Sequence, residues 1–295
     1  MNKNRSYFAT TTNEAFLEIL KDAYENPDFI VSPRGEDTRE IICTHVTISD
    51  PSQRIITNKY RGFSLRYGIA EWLWYERGSN SLEEISFYSK FWKKVSDDGK
   101  TVNSAYGYRI FGNNTEHSVN QWDFVIKELV IDKESRRAVI MLISPRDMLK
   151  PTKDFLCTAF LQFFIRNERL YLSVNMRSND LILGFANDVF AFTLFQEKML
   201  IELRAHYPQL QLGMYHHFST SSHIYKRNFE MVESIIRSPN ENKIITMPPI
   251  DDLSEIDQLQ LNESIIRNNT NKDLFPLKSN FCNFCQNTLI GKKES

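Results

Sequence analysis

The residues of this chain whose types suit chemistry begin with Cys157, a single cysteine in the middle of the sequence. A cysteine thiolate is a strong nucleophile when neighbouring cations or a helix N-terminus favour the ionised form. Arg177 and Ser178 follow it, a pair suited to binding an anion such as a phosphate. Asp188 then adds a carboxylate that can accept hydrogen bonds from a substrate. The set favours an enzyme that attacks an anionic substrate through a thiolate, although an isolated cysteine is also a common core residue.

Further arginines are candidates for the same anion site. Arg34 lies in a polar segment that we predict to be an exposed loop, and Arg136 and Arg137 are adjacent. Arginine binds phosphate through two parallel N–H donors. Each of these residues alone is typical of a solvated surface, so the prediction depends on the set, together with Arg177.

The composition limits the classes of function. The chain has 295 residues, 36 Lys and Arg against 37 Asp and Glu, and a net charge of -1, which gives no electrostatic reason to expect duplex nucleic acid as a partner. Four cysteines are too few for a disulfide framework. No apolar run is long enough to span a bilayer, and the N-terminus lacks an apolar signal-peptide core. We therefore expect a cytoplasmic protein that binds no membrane.

The C-terminal part, from about residue 238, is polar and rich in asparagine and proline. Cys282 and Cys285 have half of the spacing of a zinc ribbon, but the sequence has no second cysteine pair. We predict no metal site, and we expect the tail to be a poorly ordered extension or a small docking element.

Hydrophobic spacing predicts the elements that position these residues. Helices are expected over 13–24, 63–75, 81–95, 120–130 and 189–205, and strands over 41–48, 138–143, 160–165, 170–176 and 210–218. The strands 160–165 and 170–176 are separated by a short polar turn, which is typical of a β-hairpin. The helix over 189–205 is too apolar for a surface helix and is expected to be central. Without regular βαβ alternation, the pattern favours an α+β fold over a Rossmann fold.

Several short motifs occur in a fixed order along residues 13–230. They are Glu71-Trp72-Leu73-Trp74, Tyr106-Gly107, Ser135-Arg136-Arg137, Cys157 with the strand after it, Arg177-Ser178-Asn179-Asp180, Leu183-Gly184 and His223-Ile224-Tyr225. This ordered series resembles the thymidylate synthase superfamily, which includes the pyrimidine-nucleotide hydroxymethylases. No single motif is specific, but the series is.

The resemblance implies a fold and an assembly. The expected fold is of the thymidylate-synthase type, a mixed β-sheet packed with helices around a long central apolar helix. One face of the sheet is expected to form a homodimer interface, across which Arg136 and Arg137 would serve the other subunit's phosphate. The catalytic domain would span residues 1–237, and residues 238–295 would form a C-terminal extension.

The resemblance also implies a role for each matching residue. Cys157 would add to C6 of the pyrimidine ring, which makes C5 nucleophilic. Glu71 would organise water and proton transfers, and Tyr106 would assist removal of the C5 proton. The other residues would bind a pyrimidine nucleoside monophosphate and 5,10-methylenetetrahydrofolate: Arg34, Arg136, Arg137, Arg177 and Ser178 the 5′-phosphate, His223 and Tyr225 the sugar 3′-hydroxyl, and Trp92, Asp180, Leu183 and Gly184 the folate.

The chain departs from the synthases at three places. The synthases have Pro-Cys-His at the nucleophile, whereas this chain has Leu156-Cys157-Thr158. The family's C-terminal segment, which closes over the site, has no match here. The synthases also carry Asn four residues after the Gly of Leu-Gly, and that position is Asp188.

Asp188 bears on which base is recognised. An Asn amide satisfies the N3–H donor and the O4 acceptor of uracil, whereas a carboxylate accepts from the 4-amino group of cytosine. An Asp here resembles the deoxycytidylate hydroxymethylases. Two simpler interpretations remain, because Asp188 could be a helix N-cap and a one-residue shift would place Asn187 at the base.

The sequence therefore predicts a folate-dependent dCMP 5-hydroxymethylase that acts through Cys157. The alternatives are a CMP 5-hydroxymethylase, a thymidylate synthase acting on dUMP, and a non-catalytic nucleotide-binding homologue. Asp188 favours cytosine over uracil, and the presence of the nucleophile and of the phosphate-binding arginines argues against loss of catalysis.

Overall fold

The computed structural model describes residues 4–112, 120–270 and 273–291 of the chain. The chain divides into two compact units. The first unit contains Met1–Phe63, Val125–Ile140 and Cys157–Ile245, and the second contains Ser64–Phe124, Met141–Leu156 and Thr246–Ser295. Cys157 and Asp188 therefore belong to the first unit, and Glu71 belongs to the second.

The described residues form the following elements in chain order. The strands are β1 Ser6–Ala9, β2 Phe29–Val31, β3 Thr38–Ile48, β4 Val139–Met141, β5 Thr158–Arg166, β6 Arg169–Met176, β7 Asn179–Asp180 and β8 Gln211–Tyr225. The helices are α1 Thr12–Glu25, α2 Leu65–Glu76, α3 Leu82–Ser86, α4 Phe91–Val95, α5 Tyr106–Phe111, α6 Gln121–Ile131, α7 Gly184–Leu203, α8 Phe229–Arg237, α9 Ile256–Arg267 and α10 Asn280–Ile290.

All the strands belong to one mixed sheet, with the order β1-β3-β8-β6-β5-β4. Strand β2 pairs with β3, and β7 pairs with β8. The pairs β3–β8 and β5–β6 are antiparallel, whereas β1–β3 and β6–β8 are parallel. The long strand β8 therefore lies beside β3, β6 and β7, and its C-terminal end lies next to the short strand that follows Arg177.

Helix α7 forms the core of the first unit because almost every one of its faces is apolar. Phe185, Phe190, Phe192 and Phe195 are fully buried in it. The helix packs on β6, β7 and β8. Its buried Gln196 donates hydrogen bonds to three carbonyls of β6 and β8, where the register of these strands shifts. The amide thus satisfies backbone acceptors that the irregular ladder leaves over.

Helix α1 covers the same sheet at β1 and β3. Thr11 is its N-cap and forms a capping box with Glu14. The ring of Phe16 lies 6.4 Å from that of Phe185 in α7. Helices α1 and α7 are thereby joined through an aromatic contact.

The second unit is helical in its described part. Helix α5 lies on α2, and α10 also packs on α2, where the rings of Trp72 and Phe281 meet edge to face at 5.6 Å. The Nε of Arg66 donates to the carbonyl of Leu289 at 2.9 Å. The poorly ordered extension, one of the two alternatives for the tail, is wrong for the described residues, because α9 and α10 are regular helices. The alternative of a small docking element stays a prediction.

The architecture confirms the predicted α+β class, with a mixed sheet, a β5–β6 hairpin and a long central apolar helix. Helix α7 begins earlier than the hydrophobic pattern indicated, at Gly184 instead of residue 189. The homodimer interface and the domain boundary at residue 237 stay predictions. Among the residues that the structure describes, no helix has the length and apolar character needed to cross a membrane.

Candidate active site

The β5–β6 hairpin brings Cys157 and Arg177 together. Thr158 at the start of β5 pairs with Met176 at the end of β6, so the residues just outside the ladder lie side by side. The backbone N–H of Arg177 donates to the carbonyl of Cys157 at 2.9 Å, and its Nη2 lies 3.8 Å from Sγ. Cys157 is half-buried and Arg177 is exposed. A guanidinium at this distance favours the thiolate over the thiol, as a nucleophile requires.

The chain after Arg177 leads into the central helix. Half-buried Ser178 comes first, and then β7 pairs with β8, with Asn179 opposite Ser222 and Asp180 opposite His223. The Oδ1 of Asp180 accepts hydrogen bonds from the backbone of Ile182 at 2.8 Å and Leu183 at 3.2 Å. This carboxylate therefore shapes the turn before α7.

Asp188 lies in the second turn of α7, where its Oδ2 accepts a hydrogen bond from Nδ2 of Asn179 at 3.2 Å. The N-cap position is occupied by Leu183, so the interpretation of Asp188 as an N-cap is wrong. The side chain of Asn187 donates to the carbonyl of Leu183 at 2.9 Å, within its own helix. Asp188 and Asn187 thus have different partners, and the hydrogen bond to the β7 residue is made by Asp188.

The C-terminal end of β8 places His223 and Tyr225 beside this segment. The two rings meet edge to face at 5.0 Å. Burial raises the pKa of Tyr225; the charges of Asp180 and Cys157 raise it further, whereas those of Arg227 and Arg34 lower it. These groups therefore lie within electrostatic range of one phenol. Burial also lowers the pKa of His223, which favours the neutral imidazole.

Arg34 is carried by a tight turn of the first unit. It has a left-handed backbone with φ 56° and lies on the exposed turn Pro33–Gly35. Two ion pairs, Lys226–Asp37 at 2.9 Å and Arg227–Glu36 at 2.7 Å, join the segment after this turn to the end of β8. The loop is thereby fixed near Tyr225, as the electrostatic coupling between Arg34 and this tyrosine requires.

The contacts of Arg136 and Arg137 are with residues other than those at the end of the hairpin that carries Cys157 and Arg177. The Nε of Arg137 donates to Glu128 at 2.9 Å, and its side chain is 74% exposed. The carbonyl of Arg136 accepts from Gln162 of β5, and its side chain is also exposed. Both guanidinium groups are therefore accessible on the first unit.

In the second unit, Glu71 is a buried carboxylate on α2. It accepts a hydrogen bond from the hydroxyl of Tyr67, one helical turn earlier, at 2.5 Å. Burial raises the pKa of Glu71 to about 7, while hydrogen bonds with Tyr67 and Tyr75 act in the opposite direction. A carboxyl group that titrates near neutral pH can both accept and donate a proton under working conditions.

Trp92 and Tyr106 belong to the surroundings of this carboxylate within the second unit. The indole Nε1 of Trp92 donates to the hydroxyl of Tyr67 at 3.1 Å. The ring of Tyr106 lies 5.5 Å from that of Tyr75. Gly107 permits this approach, because a Cβ there would lie 1.9 Å from the backbone of Tyr75.

A family comparison extends these observations from single residues to the whole chain. A model of the thymidylate synthase family matches residues 14–276. The chain belongs to the thymidylate synthase family.

Curated relatives include enzymes with different named substrates. The chain is 28% identical over 229 residues to the deoxyuridylate hydroxymethyltransferase of Bacillus phage SP01, which covers 75% of this chain and 58% of that protein. It is 29% identical over 218 residues to the deoxycytidylate 5-hydroxymethyltransferase of Enterobacteria phage T6, which covers 72% of this chain and 85% of that protein. The chain thus spans little more than half the length of the phage SP01 relative.

A solved structure confirms the thymidylate synthase fold. The chain resembles thermostable thymidylate synthase A from Bacillus subtilis with a TM-score of 0.60 and 22% identity, over 77% of this chain and 84% of that chain. At this level of identity, the likeness shows the fold alone.

The residues expected on the folate side have suitable chemistry for this group. Asp180 offers a carboxylate, which suits the N–H donors of a pterin ring, and Leu183 offers an apolar side chain that is 44% exposed. Packing also favours glycine at position 184, because a Cβ there would lie 3.1 Å from Nδ2 of Asn179 and 3.3 Å from Oδ2 of Asp188. In the second unit, an aromatic ring such as that of Trp92 can stack on a flat ring, but Trp92 is only 7% exposed and packs on the rings of Trp74 and Phe91.

The two departures from the synthases beside Cys157 are buried. Leu156 and Thr158 both have no exposed surface, and the hydroxyl of Thr158 makes no hydrogen bond among the described residues. Both side chains therefore point away from solvent, on either side of the half-buried nucleophile. Thr158 does not replace the missing histidine as an exposed proton carrier.

Sequence reasoning missed three side chains that contact the candidate residues. Tyr67 bonds to Glu71 and Trp92, Asn179 bonds to Asp188, and the Arg227 guanidinium lies 4.0 Å over the ring of Tyr225. Tyr67 could have been found, since it lies four residues before Glu71 on the same helix face.

Cys282 and Cys285 lie buried on α10, and burial raises the pKa of Cys282 to about 11, which favours the protonated thiol.

Proposed function

We propose that this chain is a cytoplasmic enzyme that transfers a one-carbon unit to C5 of dCMP, with addition of water, to give 5-hydroxymethyl-dCMP. Bound 5,10-methylenetetrahydrofolate would supply the one-carbon unit and leave as tetrahydrofolate. The observation that carries the proposal is the carboxylate of Asp188, in the second turn of α7, with a hydrogen bond from Asn179. The position is four residues after Gly184, where the synthases carry Asn.

The chemistry of the two pyrimidines supports cytosine. A carboxylate accepts a hydrogen bond from the 4-amino group of cytosine, and it can share a proton with N3 once thiol addition has made the ring more basic. Against uracil, the same carboxylate would face the O4 acceptor. An unpaired buried acceptor costs about 1–3 kcal/mol, more when it is charged. Asp188 would thus discriminate between the bases by roughly tenfold or more.

The candidate catalytic residues fit addition to the ring. The thiolate of Cys157, favoured by the guanidinium 3.8 Å from its sulfur, would form a bond to C6 and raise the electron density at C5. Glu71, whose pKa is about 7, would organise water and exchange protons with the ring. Tyr106 would assist the departure of the C5 proton.

The binding residues fit a nucleoside monophosphate. Arg34, Arg177 and Ser178 would bind the 5′-phosphate, and His223 with Tyr225 would hold the sugar 3′-hydroxyl. The electrostatic coupling of Tyr225 to both Arg34 and Cys157 supports a common site for the phosphate and the nucleophile. Trp92, Asp180, Leu183 and Gly184 would bind the folate.

A homodimer is part of the proposal. One face of the sheet carries an aromatic row in which adjacent rings stack: Phe164, Tyr171, His216, His45 and Phe218, of which the first four are half-buried and Phe218 is exposed. A row of this kind is typical of a surface that a second copy covers. Arg136 and Arg137, both exposed, would then reach the phosphate in the other copy's site.

The decisive experiment supplies purified protein with methylenetetrahydrofolate and either dCMP, dUMP or CMP labelled with tritium at C5. We expect tritium release from dCMP and a product heavier by one CH2O unit. Asp188→Asn should shift the preference from dCMP toward dUMP by about 10- to 100-fold, by the cost of an unpaired acceptor. The Asn187→Asp variant is the matched control, and it should not change the preference.

Other outcomes would identify other functions. Hydroxymethylation of dUMP is the second candidate, favoured by the similarity to the phage SP01 relative, and it would appear as release from dUMP with a CH2O gain. A methyl product from dUMP would indicate a thymidylate synthase, and release from CMP alone a CMP 5-hydroxymethylase. Tight nucleotide binding without release would indicate a non-catalytic homologue.

A further inference from the structure

Asn179 occupies a rigid position next to Asp188. It begins β7, where it pairs with Ser222 of β8, and it is 1% exposed. Its Nδ2 lies 3.2 Å from Oδ2 of Asp188 and 3.3 Å from Sδ of Met176. The amide is therefore held by the sheet on one side and directs an N–H toward the helix on the other.

The orientation of this amide is determined by the charge it faces. If the amide were flipped, its oxygen would oppose the carboxylate of Asp188, and the hydrogen bond would be replaced by a repulsion. In the orientation found, Oδ1 of Asn179 is buried and makes no hydrogen bond among the described residues.

Gly184 makes room for the contact. It is the first residue of α7, and a Cβ there would lie 3.1 Å from Nδ2 of Asn179 and 3.3 Å from Oδ2 of Asp188. These distances are tighter than ordinary contacts on both hydrogen-bonded atoms. A side chain at Gly184 would therefore push the amide or the carboxylate out of position.

A carboxylate needs such a contact in order to have a fixed plane. The terminal torsion of Asp is broad, so the side chain itself has no strong preference for one orientation of its two oxygens. An N–H donor at one oxygen fixes that plane and favours the ionised form. Tyr215 lies within electrostatic range of the same carboxylate, and its hydroxyl is hydrogen-bonded to Nδ1 of His217 at 2.9 Å.

We infer that Asn179 is a positioning residue that fixes the carboxylate plane of Asp188 and thereby sets the preference for cytosine over uracil. The inference rests on the proposed recognition of dCMP by Asp188. It assigns the base preference to a pair of residues, one on β7 and one on α7, with Gly184 as the residue whose lack of a side chain permits the pair.

The test measures kcat/KM for C5-tritiated dCMP and dUMP with the full chain and with two variants, Asn179→Ala and Asn179→Ser. Serine is too short to reach Asp188 and serves as a second replacement if alanine prevents folding. We expect the ratio of dCMP to dUMP turnover to fall about tenfold, which corresponds to one hydrogen bond to a charged group. The matched control is Asn187→Ala, which removes an amide from α7, the helix that carries Asp188, and should leave the ratio unchanged.

A structural role alone would lower turnover of both nucleotides by the same factor and leave their ratio intact, and that result would overturn the inference. The double variant Asn179→Ala with Asp188→Asn should have nearly the same ratio as Asp188→Asn alone, because the carboxylate to be positioned is gone. If turnover is too low to measure, the ratio of dissociation constants for dCMP and dUMP in the Cys157→Ala background gives the same comparison.

The two hypotheses fail differently. If Asp188→Asn leaves the ratio unchanged, recognition of the base by Asp188 is wrong, and the inference is wrong with it. If Asp188→Asn shifts the ratio while the Asn179 variants do not, the proposed function stands and only the positioning role is wrong.

Discussion

The candidate residues of the two units are held in different ways. In the first unit, Cys157, Arg177 and Asp188 lie at the ends of strands or in the second turn of a helix, and they are half-buried or exposed. In the second unit, Glu71 is buried in the middle of α2, with phenol hydroxyls around it. The first unit presents charged side chains at its surface, whereas the second unit keeps a carboxyl group away from water.

This difference corresponds to two kinds of chemistry. Groups at strand ends keep their hydration until a substrate replaces it, so they suit binding of a charged nucleotide and attack on its ring. A buried carboxyl group has a raised pKa, which suits proton transfer near neutral pH. The comparison predicts that substitutions in the first unit remove attack or change substrate preference, whereas those in the second unit change the pH dependence.

The largest expected effect is that of Cys157→Ala. Without the thiolate, C5 of the pyrimidine is not activated, so tritium release should fall by about 10⁴-fold or more. Cys43→Ala is the matched control, since Cys43 is also a free cysteine but is exposed on β3, and it should retain full activity. Substantial tritium release by the Cys157 variant would mean that Cys157 is not the nucleophile.

Glu71→Gln should have the next largest effect, with opposite consequences for activity and stability. Loss of the proton carrier should lower kcat by about 10²- to 10⁴-fold. The pKa of Glu71 is about 7 in the folded protein against 4.5 as its ordinary value, so folding favours the protonated form. Wild-type stability should therefore decline as pH rises from about 4.5 to 7, because the unfolded chain releases the proton first.

The variant lacks this decline, so its free energy of unfolding should exceed that of the wild type at pH 8 by up to about 3 kcal/mol, from 1.36 kcal/mol per pKa unit. Urea denaturation at pH 5 and pH 8 measures the difference. Equal pH dependence in the two proteins would mean that Glu71 titrates normally, and the contrast between the units would lose its electrostatic basis.

The sequence predicted the candidate residues of the first unit better than their mutual contacts. The hairpin could be predicted because its two strands alternate and are joined by a polar turn, and the proximity of Cys157 and Arg177 follows directly from it. The contact between Asn179 and Asp188 could not, because it depends on α7 beginning at Gly184. That start is set by the carboxylate of Asp180, which binds the backbone of the preceding turn.

In the second unit, contacts within one helix could be predicted and contacts between helices could not. Tyr67 and Glu71 lie four residues apart on α2, so their hydrogen bond follows from helix geometry. The approach of Trp92 to Tyr67 depends on packing among short helices, which hydrophobic spacing does not specify. Helix α10 could have been predicted, because its buried residues Phe281, Cys282, Cys285 and Leu289 have helical spacing. The same two cysteines also have half of a zinc-ribbon spacing, which is compatible with a different structure.

Tyr67→Phe should have a smaller effect on kcat, and it tests whether Glu71 is the group that titrates in the pH profile. Its hydroxyl donates to the carboxylate, which lowers the pKa of Glu71. Removal of that donor should therefore raise this pKa and move the corresponding limb of the kcat profile to higher pH, with about a tenfold loss of kcat at neutral pH. Tyr88→Phe is the control, since Tyr88 bonds to Glu263. If the pH profile of kcat were unchanged in both variants, the group that titrates in this profile would not be Glu71.

The smallest expected effect concerns Arg34, whose left-handed backbone has φ 56°. A residue with a Cβ pays about 1–2 kcal/mol for this conformation, and glycine avoids that cost but loses about 0.5–1 kcal/mol through the entropy of the unfolded chain. Arg34→Gly should therefore unfold with a free energy about 0.5–1 kcal/mol above that of Arg34→Ala, measured by urea denaturation. Both variants should raise KM for the nucleotide by the same factor, about tenfold, because both remove the guanidinium. If KM were unchanged in both variants, the Arg34 guanidinium would not bind the phosphate, and Arg177 and its neighbours would bind it instead.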